Sequence, residues 1–521
     1  MKRLFILFLC ISMSIVSAKL NDFRPIIQNG IITPLQFGAT GDGRTDDSQA
    51  FLKAIQAAAK NDDKILVIPH GYVFNLVHQT IDFNKFNPAV VMKFDGGVLK
   101  NAKFVGNRTR ILAPRIKIFE NIILSGTFSS LSDYAYPEWV GGFPFDNTID
   151  LVDALRQLDS VFFDIQLSNG EYFTKKGKYE VRGLTGISVG TTHVIMETDQ
   201  SNTFLFSMGK ISGSVKDRDF HSRYIRNLSL HITSTSRSQK LRGNRGIIIG
   251  ATHRPVIENV RLVQSRDYQR FEKFELQSFL VSQKKVDDAN VNIEFKGDSE
   301  LSILNNISSY ADVGIMFTQY TDMATVTDYA HDCLALGLAT VYFKKEAVQS
   351  QNLIFNGTQS WNRGLYGFYS EDSNLWNAFR SNRFENVRIE QLTKEIVDNG
   401  KVVSTSIRIG KSNLISNMIF ENIILSGASN GIYIGETASG NIYFDKVFLN
   451  PDVTIKRAFA FKTKLLPPAS NPDEQPFKIH LKNMNLYQDA PSFFENSRYV
   501  PKQENKNRFL KNIFLDETIE Y

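Results

Sequence analysis

Residues 118–126 read IFENIILSG, and the same nine letters return at 419–427. A nine-residue identity across 301 positions marks a chain built from a recurring structural unit. Weaker copies centre on the same Asn: IRNLSL at Asn227, IENVRL at Asn259, LNNISS at Asn306, FENVRI at Asn386 and LKNMNL at Asn483. Asp328 and Asn356 occupy looser copies, and KNIFL at Asn512 gives a last one. Several spacings fall between 22 and 36 residues, the range of stacked repeats.

Apolar residues alternate on either side of the Asn, the period of a strand with one buried face. After a short polar stretch comes a second alternation, usually opened by Gly: GIIIG at 246, GIMF at 314, GLYGF at 364 and GIYIG at 431. Strand, turn, strand, turn at this period describes one coil of a parallel β-solenoid. The Asn at its fixed corner is expected to stack on its neighbours and bond the backbone above and below. A β-sandwich with Asn-rich turns is disfavoured because sandwiches rarely hold one register for so long. The spacing of leucine-rich repeats is absent.

Residues 1–18 open with Lys2 and Arg3, run through LFILFLCISMSIV and end Val16-Ser17-Ala18. A basic start, an apolar stretch and a small-residue cleavage site form the pattern of an export signal cut before Lys19. Cys10 has no small residue just before it, which disfavours a lipid anchor. No later stretch is apolar for long enough to span a bilayer. Cleavage leaves Cys333 as the single thiol, so the core rather than disulfides must hold the chain. The formal net charge of +6 falls by two, to +4, without Lys2 and Arg3. That small, mixed excess makes no case for nucleic acid.

Near the start, residues 37–72 read FGATGDGRTDDSQAFLKAIQAAAKNDDKILVIPHGY. Gly38, Gly41 and Gly43 make a tight loop, and Thr45 or Asp46 is placed to cap a helix. Ala50, Phe51, Ala54, Ile55 and Ala58 form the apolar stripe of that helix, and residues 65–68 form a buried strand. A short amphipathic helix here would shield the open end of a solenoid. The segment resembles the N-terminal signature of the pectate-lyase-like superfamily. Phe37-Gly38-Ala39, Gly41-Asp42-Gly43, Thr45-Asp46-Asp47, Pro69, Gly71 and Tyr72 carry the match. The resemblance implies an all-β, right-handed parallel β-helix with a short N-terminal capping helix. It does not fix a reaction, because the superfamily includes polysaccharide lyases, glycoside hydrolases and phage tailspikes. Asp42, Asp46 and Asp47 are read as loop and cap residues rather than a catalytic cluster.

A degenerate second copy follows. Tyr136-Pro137-Glu138-Trp139-Val140-Gly141 leads to Asp146-Asn147-Thr148, LVDALRQLDS and Tyr172, aligning Ala54-Ile55 with Ala154-Leu155. The expected organisation is a signal at 1–18, a capping module with a short β-helix segment at 19–135, and the main β-helix at 136–464. A Pro-rich break and C-terminal coils complete it at 465–521. Residues 266–288 (RDYQRFEKFELQSFLVSQKKVDD) interrupt the period as a charged insertion.

Equivalent positions of successive coils lie about 4.8 Å apart, so outward residues form columns. Along the Gly-initiated strands Ile315, Leu365, Ile407 and Ile432 read as inward, and Met316, Tyr366, Arg408 and Tyr433 as outward. Asn244-Arg245, Asp312, Asn362-Arg363 and Asn430 lie just before these strands. Tyr366 and Tyr433 would offer stacking faces for sugar rings, and Arg408 a fork for a carboxylate. A second column, four residues past the ladder Asn, gives His231, Tyr310, Asp332, Ser360 and Glu390, with Arg261 and Arg388 on the same face. Asp332 and Glu390 are two coils apart, roughly 10 Å at this spacing, at the upper limit of the ~6.5–9.5 Å of an inverting acid/base pair. His331 falls on an inward position as a core histidine.

In the polysaccharide enzymes that the chain resembles, the groove commonly follows this kind of strand and the turn leading into it. The resemblance therefore implies an exported protein that cleaves a polysaccharide along the outside of the helix, hydrolysis favoured over β-elimination. Asp312 and Glu371 are the first candidate catalytic carboxylates, and Asp332 and Glu390 the second pair. Arg245, Arg363, Tyr366, Arg408 and Tyr433 are the candidate sugar-binding residues. The substrate is expected to be a polysaccharide, an acidic one suiting the small positive excess. A lyase would add a calcium ion at an acidic site such as Asp312, Glu371 and Asp372; no zinc or nucleotide-binding spacing occurs. The polygalacturonase signatures are missing: Arg115-Ile116-Lys117 stands before the main solenoid, and no G-H-G occurs. The competing reading is a non-catalytic glycan-binding or adhesin-like protein on the same scaffold.

Overall fold

The computed structural model describes residues 31–86, 90–235, 241–264, 287–332, 337–347, 350–361, 365–373, 379–390, 405–426, 430–435, 437–449, 457–461, 478–483 and 513–516. The export signal, the charged insertion up to Val286 and the Pro-rich break fall outside them. The chain divides into two compact units, residues 1–132 and 133–521.

In the first unit the Ser48–Lys60 helix buries the expected stripe of Ala50, Phe51, Ala54, Ile55 and Ala58. The acids of the signature hold the loop before it. Asp47 accepts the backbone N–H groups of Thr40 (2.7 Å) and Gly41 (3.2 Å), and Asp42 those of Arg44 and Thr45 (both 2.8 Å). Asp46 accepts that of Ser48 at 2.9 Å. These bonds order a turn that has few backbone partners of its own. A six-stranded parallel sheet follows, and Phe119–Ser130, carrying the first IFENIILSG, pairs with Val98–Leu112. Ile122 and Leu124 are buried while Ile123 between them is 63% exposed, the alternation read from the sequence.

The second unit opens with the 3-10 turn Pro137–Val140, closed by Gly141 at φ 92, and the Leu151–Asp159 helix. Its cap is Asp150, which lies past the Asp146-Asn147-Thr148 of the second signature copy. The Asp150 carboxylate accepts Val152 N–H (2.9 Å), Thr174 Oγ1 (2.7 Å) and Lys175 N–H (2.8 Å). Asp146 only closes a turn onto Thr148 N–H.

Beyond it the chain is a right-handed parallel β-helix, its crossovers following the hand preferred by parallel strands. Among the described residues a 15-stranded parallel sheet runs along one side and a 10-stranded parallel sheet along another. Short bridges such as Ser299–Glu300 with Thr321–Asp322 mark the third corner. Identical side chains stack inside. Phe355, Phe384, Phe420 and Phe444 have successive ring centroids 5.0, 4.8 and 5.1 Å apart, and Phe295, Phe317 and Phe343 lie 4.5 and 4.4 Å apart. Each aromatic contact adds about 0.5–1.5 kcal/mol beyond its buried area.

The repeated Asn forms the corner where strands of the longer sheet bend. Asn227, Asn259, Asn306, Asn386 and Asn422 all have φ between 50 and 57. Asn tolerates this left-handed region better than other non-glycine residues. The expectation that its amide bonds the backbone of adjacent coils is corrected: the amides bond one another. Asn259 Nδ2 donates to Asn227 Oδ1 (3.0 Å), Asn306 to Asn259 (2.8 Å) and Asn422 to Asn386 (2.6 Å). Where the left-handed position is Gly357, the preceding Asn356 supplies the acceptor for Asn386 at 2.8 Å. Asn356 therefore sits one place before the ladder position.

Candidate functional site

The 10-stranded sheet presents its outer face through five-residue strands including Arg245–Ile249, Val291–Phe295, Val313–Phe317, Ala339–Phe343, Tyr366–Ser370, Thr405–Ile409 and Asn430–Ile434. Their register aligns Glu294, Met316, Tyr342, Tyr369, Arg408 and Tyr433 in one column. Ile315, Val341, Phe368, Ile407 and Ile432 fill the adjacent inward column. Sequence counting put Tyr366 and Leu365 in these two columns, whereas the structure puts Tyr369 and Phe368 there. The sequence GLYGF offers two glycines. It is Gly367, not Gly364, that falls between the paired positions Tyr366 and Phe368, as Gly431 falls between Asn430 and Ile432. Tyr366 stays at the site, three residues earlier, its ring 4.5 Å from that of Tyr369.

The column is a continuous stack. Tyr342 and Tyr369 lie 4.7 Å apart and nearly parallel, and the Arg408 guanidinium sits between Tyr369 (4.6 Å) and Tyr433 (5.4 Å). Arg408 Nη1 donates to the Ser370 carbonyl at 2.8 Å, and Nη2 faces Asp372 Oδ1 at 3.4 Å. Burial works against its charge, but Tyr369 and Asp372 outweigh that and raise its pKa. Burial pushes the Tyr369 phenol up to about 12 and raises Tyr342 and Tyr366 as well.

Two carboxylates follow the Tyr366–Ser370 strand. Glu371 accepts the Tyr342 hydroxyl on Oε1 (2.6 Å) and the Lys345 backbone N–H on Oε2 (3.0 Å). Asp372 accepts the Lys411 N–H at 2.9 Å and leaves its side chain 57% exposed. Tyr342 and Tyr369 were missed in the sequence because their column is defined only by inter-coil register.

Asp312 lies elsewhere. It is 1% exposed, at the opposite end of the strands, where its Oδ2 accepts Asn290 N–H at 2.8 Å. Asn290 in turn accepts Asn244 N–H at 3.1 Å, so Asp312 belongs to a second corner ladder. Strand rise and spacing put it about 20 Å from Glu371, far beyond an acid/base pair. The calcium set Asp312, Glu371 and Asp372 is likewise not brought together. Arg245 is also withdrawn from sugar binding. It is 9% exposed, with Nε 2.7 Å from Glu294 Oε2 and Nη1 2.8 Å from the Ala289 carbonyl. Arg363 falls outside the described residues.

On the longer sheet the register aligns Tyr310, Asp332 and Trp361, and the pairing of Ser360 with Ile389 puts Glu390 next. Asp332 and Glu390 thus share a column two coils apart, as expected from the sequence. Ser360 does not join them: the residue is 3% exposed and its Oγ lies 2.6 Å from Thr340 Oγ1. The extra residue at Gly357 shifts the count by one. Glu390 pairs closely with Arg388. His331 is a core residue, 1% exposed, with Nδ1 2.9 Å from Ser309 Oγ.

Among the described residues no group of three or more His, Cys, Asp or Glu is placed to hold a metal ion, and no helix is long and apolar enough to cross a membrane. No family model matches the sequence, nor does any curated protein. Solved structures are similar at the level of the β-helix. The catalytic domain of a GH87 alpha-1,3-glucanase aligns at 11% identity and TM-score 0.39, over 68% of this chain and 64% of that domain, just under two thirds of its length. A surface adhesin of Streptococcus pneumoniae aligns at 10% identity and TM-score 0.31, over 86% of this chain and 94% of the adhesin. An Acinetobacter phage tailspike aligns at 10% identity and TM-score 0.35, over 72% and 68%.

Proposed function

We propose that the chain is an exported carbohydrate-active protein that binds a polysaccharide along the outer face of the 10-stranded sheet and cleaves it by hydrolysis. The supporting observation is the stack of Tyr342, Tyr369, Arg408 and Tyr433 beside Glu371 and Asp372. The accessible part of the stack is Tyr369, Arg408 and Tyr433, since Tyr342 is only 2% exposed and packs with Met316, Val313 and Ala339 in a buried cluster that supports Tyr369. The carboxylates stand beside these rings, as glycoside hydrolysis needs. Glu371 accepts a hydrogen bond on each oxygen and keeps a lone pair on each with which to orient a water. Asp372, the more exposed, suits contact with the leaving oxygen. Glu371→Gln is expected to abolish product formation while retaining glycan binding, and Tyr342→Phe to lower turnover by about tenfold through loss of one charge-assisted bond. Reducing ends without ultraviolet-absorbing unsaturated sugar would support hydrolysis, and the unsaturated product would overturn it in favour of β-elimination.

A second reading is glycan binding without turnover. It is favoured by the hydrogen bonds that already engage both carboxylates. Binding by the wild type with no product in either assay would establish it.

A further inference from the structure

We infer that this groove takes a neutral, hydroxyl-rich polysaccharide and excludes polyuronates; the inference rests on the glycan-binding reading above. Sequence counting offered Arg408 as a fork for a sugar carboxylate. In the structure that fork already faces a protein carboxylate, Asp372, and one Nη donates to Ser370 O. Tyr369 and Tyr433 cover the two faces of the guanidinium. A uronate seeking the bidentate geometry that makes Arg selective for carboxylates must first displace Asp372.

Glu371 and Asp372 add two negative charges where the strand ends, and a uronate there would meet like charge in a partly desolvated groove. The lysines that follow the Ala339–Phe343 strand do not offset this. Lys344 is paired with Asp287, and Lys345 lies 3.5 Å from Glu346. A neutral sugar meets the opposite situation: its C–H faces suit tyrosine rings, and its hydroxyls donate to the remaining lone pairs of the carboxylates.

The mature protein is to be run through gels containing a neutral α-glucan, β-glucan or xylan, and through gels containing polygalacturonate or alginate. Low and moderate salt are both needed, because the chain's small positive excess retards it nonspecifically in polyanions at low salt. The expected result is retention by a neutral glycan that changes less than about twofold between roughly 0.05 and 0.3 M salt, and no retention by polyuronates at the higher value. Asp372→Asn releases Arg408 and is expected to raise polyuronate affinity at least about fivefold at moderate salt. Asp372→Ser provides a second variant at this exposed position. Stronger binding or cleavage of a polyuronate by the wild type at moderate salt overturns the inference and leaves the glycan reading intact. So does unchanged polyuronate affinity in both Asp372 variants. Retention by neither class overturns the glycan reading itself, and the inference with it.

Discussion

The guanidinium carbon of Arg408 lies 4.6 Å from the centroid of the Tyr369 ring, one strand away in the same outer column. The contact ties together two residues 39 positions apart in sequence and completes the stack that defines the groove. Arg408→Lys keeps the charge but loses the planar face and the fork to Ser370 and Asp372. It is expected to destabilise the protein by about 1–2 kcal/mol and to weaken glycan binding. Tyr369→Phe, which keeps the ring, is expected to change both much less. Urea unfolding and affinity electrophoresis of the two variants check this.

The corner ladder separates backbone strain from hydrogen bonding. Asn259 has φ 51 and links Asn227 to Asn306 through its amide. Asn259→Ala loses both bonds and puts a residue with poorer left-handed propensity than Asn at φ 51, with an expected loss of about 2–4 kcal/mol. Asn259→Gly loses the bonds alone and should be about 1 kcal/mol less damaging. Equal destabilisation in urea unfolding would show that the conformation contributes nothing.

Arg245 and Glu294 form a buried ion pair, 9% and 2% exposed, and Thr318 Oγ1 donates to the second Glu294 oxygen at 2.8 Å. Arg245→Met leaves Glu294 charged and buried, for an expected loss of about 3–5 kcal/mol. The double change Arg245→Met with Glu294→Met is expected to be more stable than Arg245→Met alone, measured as a melting temperature.

Burial holds the His331 imidazole at about 3, below its ordinary 6.5. The folded state therefore resists protonation while the unfolded chain accepts the proton, so stability is greatest above 6.5 and falls as pH drops towards 3. The expected loss from this residue is about 2–3 kcal/mol between pH 7 and roughly pH 4.5. His231, lowered to about 4 chiefly by burial, acts in the same direction. His331→Gln should flatten the pH dependence of urea unfolding in this window. An unchanged slope would show that His331 is not its source.

Much of the scaffold was legible because it follows from local rules that every coil repeats. The Ser48–Lys60 helix shows its stripe in sequence, although its N-cap position falls on Asp47 rather than on Thr45 or Asp46, and IFENIILSG declares both its buried face and its corner Asn. The outer columns were less legible. An inserted Gly357 moved Ser360 into the core, and the choice between Gly364 and Gly367 decided whether Tyr366 or Tyr369 stacks on Arg408.

The sequence by itself determined that this is a stacked parallel solenoid with an Asn corner, because apolar periodicity and left-handed propensity act within a few residues. Tertiary structure alone decided which side chains share the groove. Burial of Asp312 in a corner ladder, pairing of Arg245 with Glu294 and capture of Arg408 by Asp372 all depend on register between coils. That register is set by packing and by hydrogen bonds between strands tens of residues apart, and a single inserted residue resets it without disturbing the local pattern.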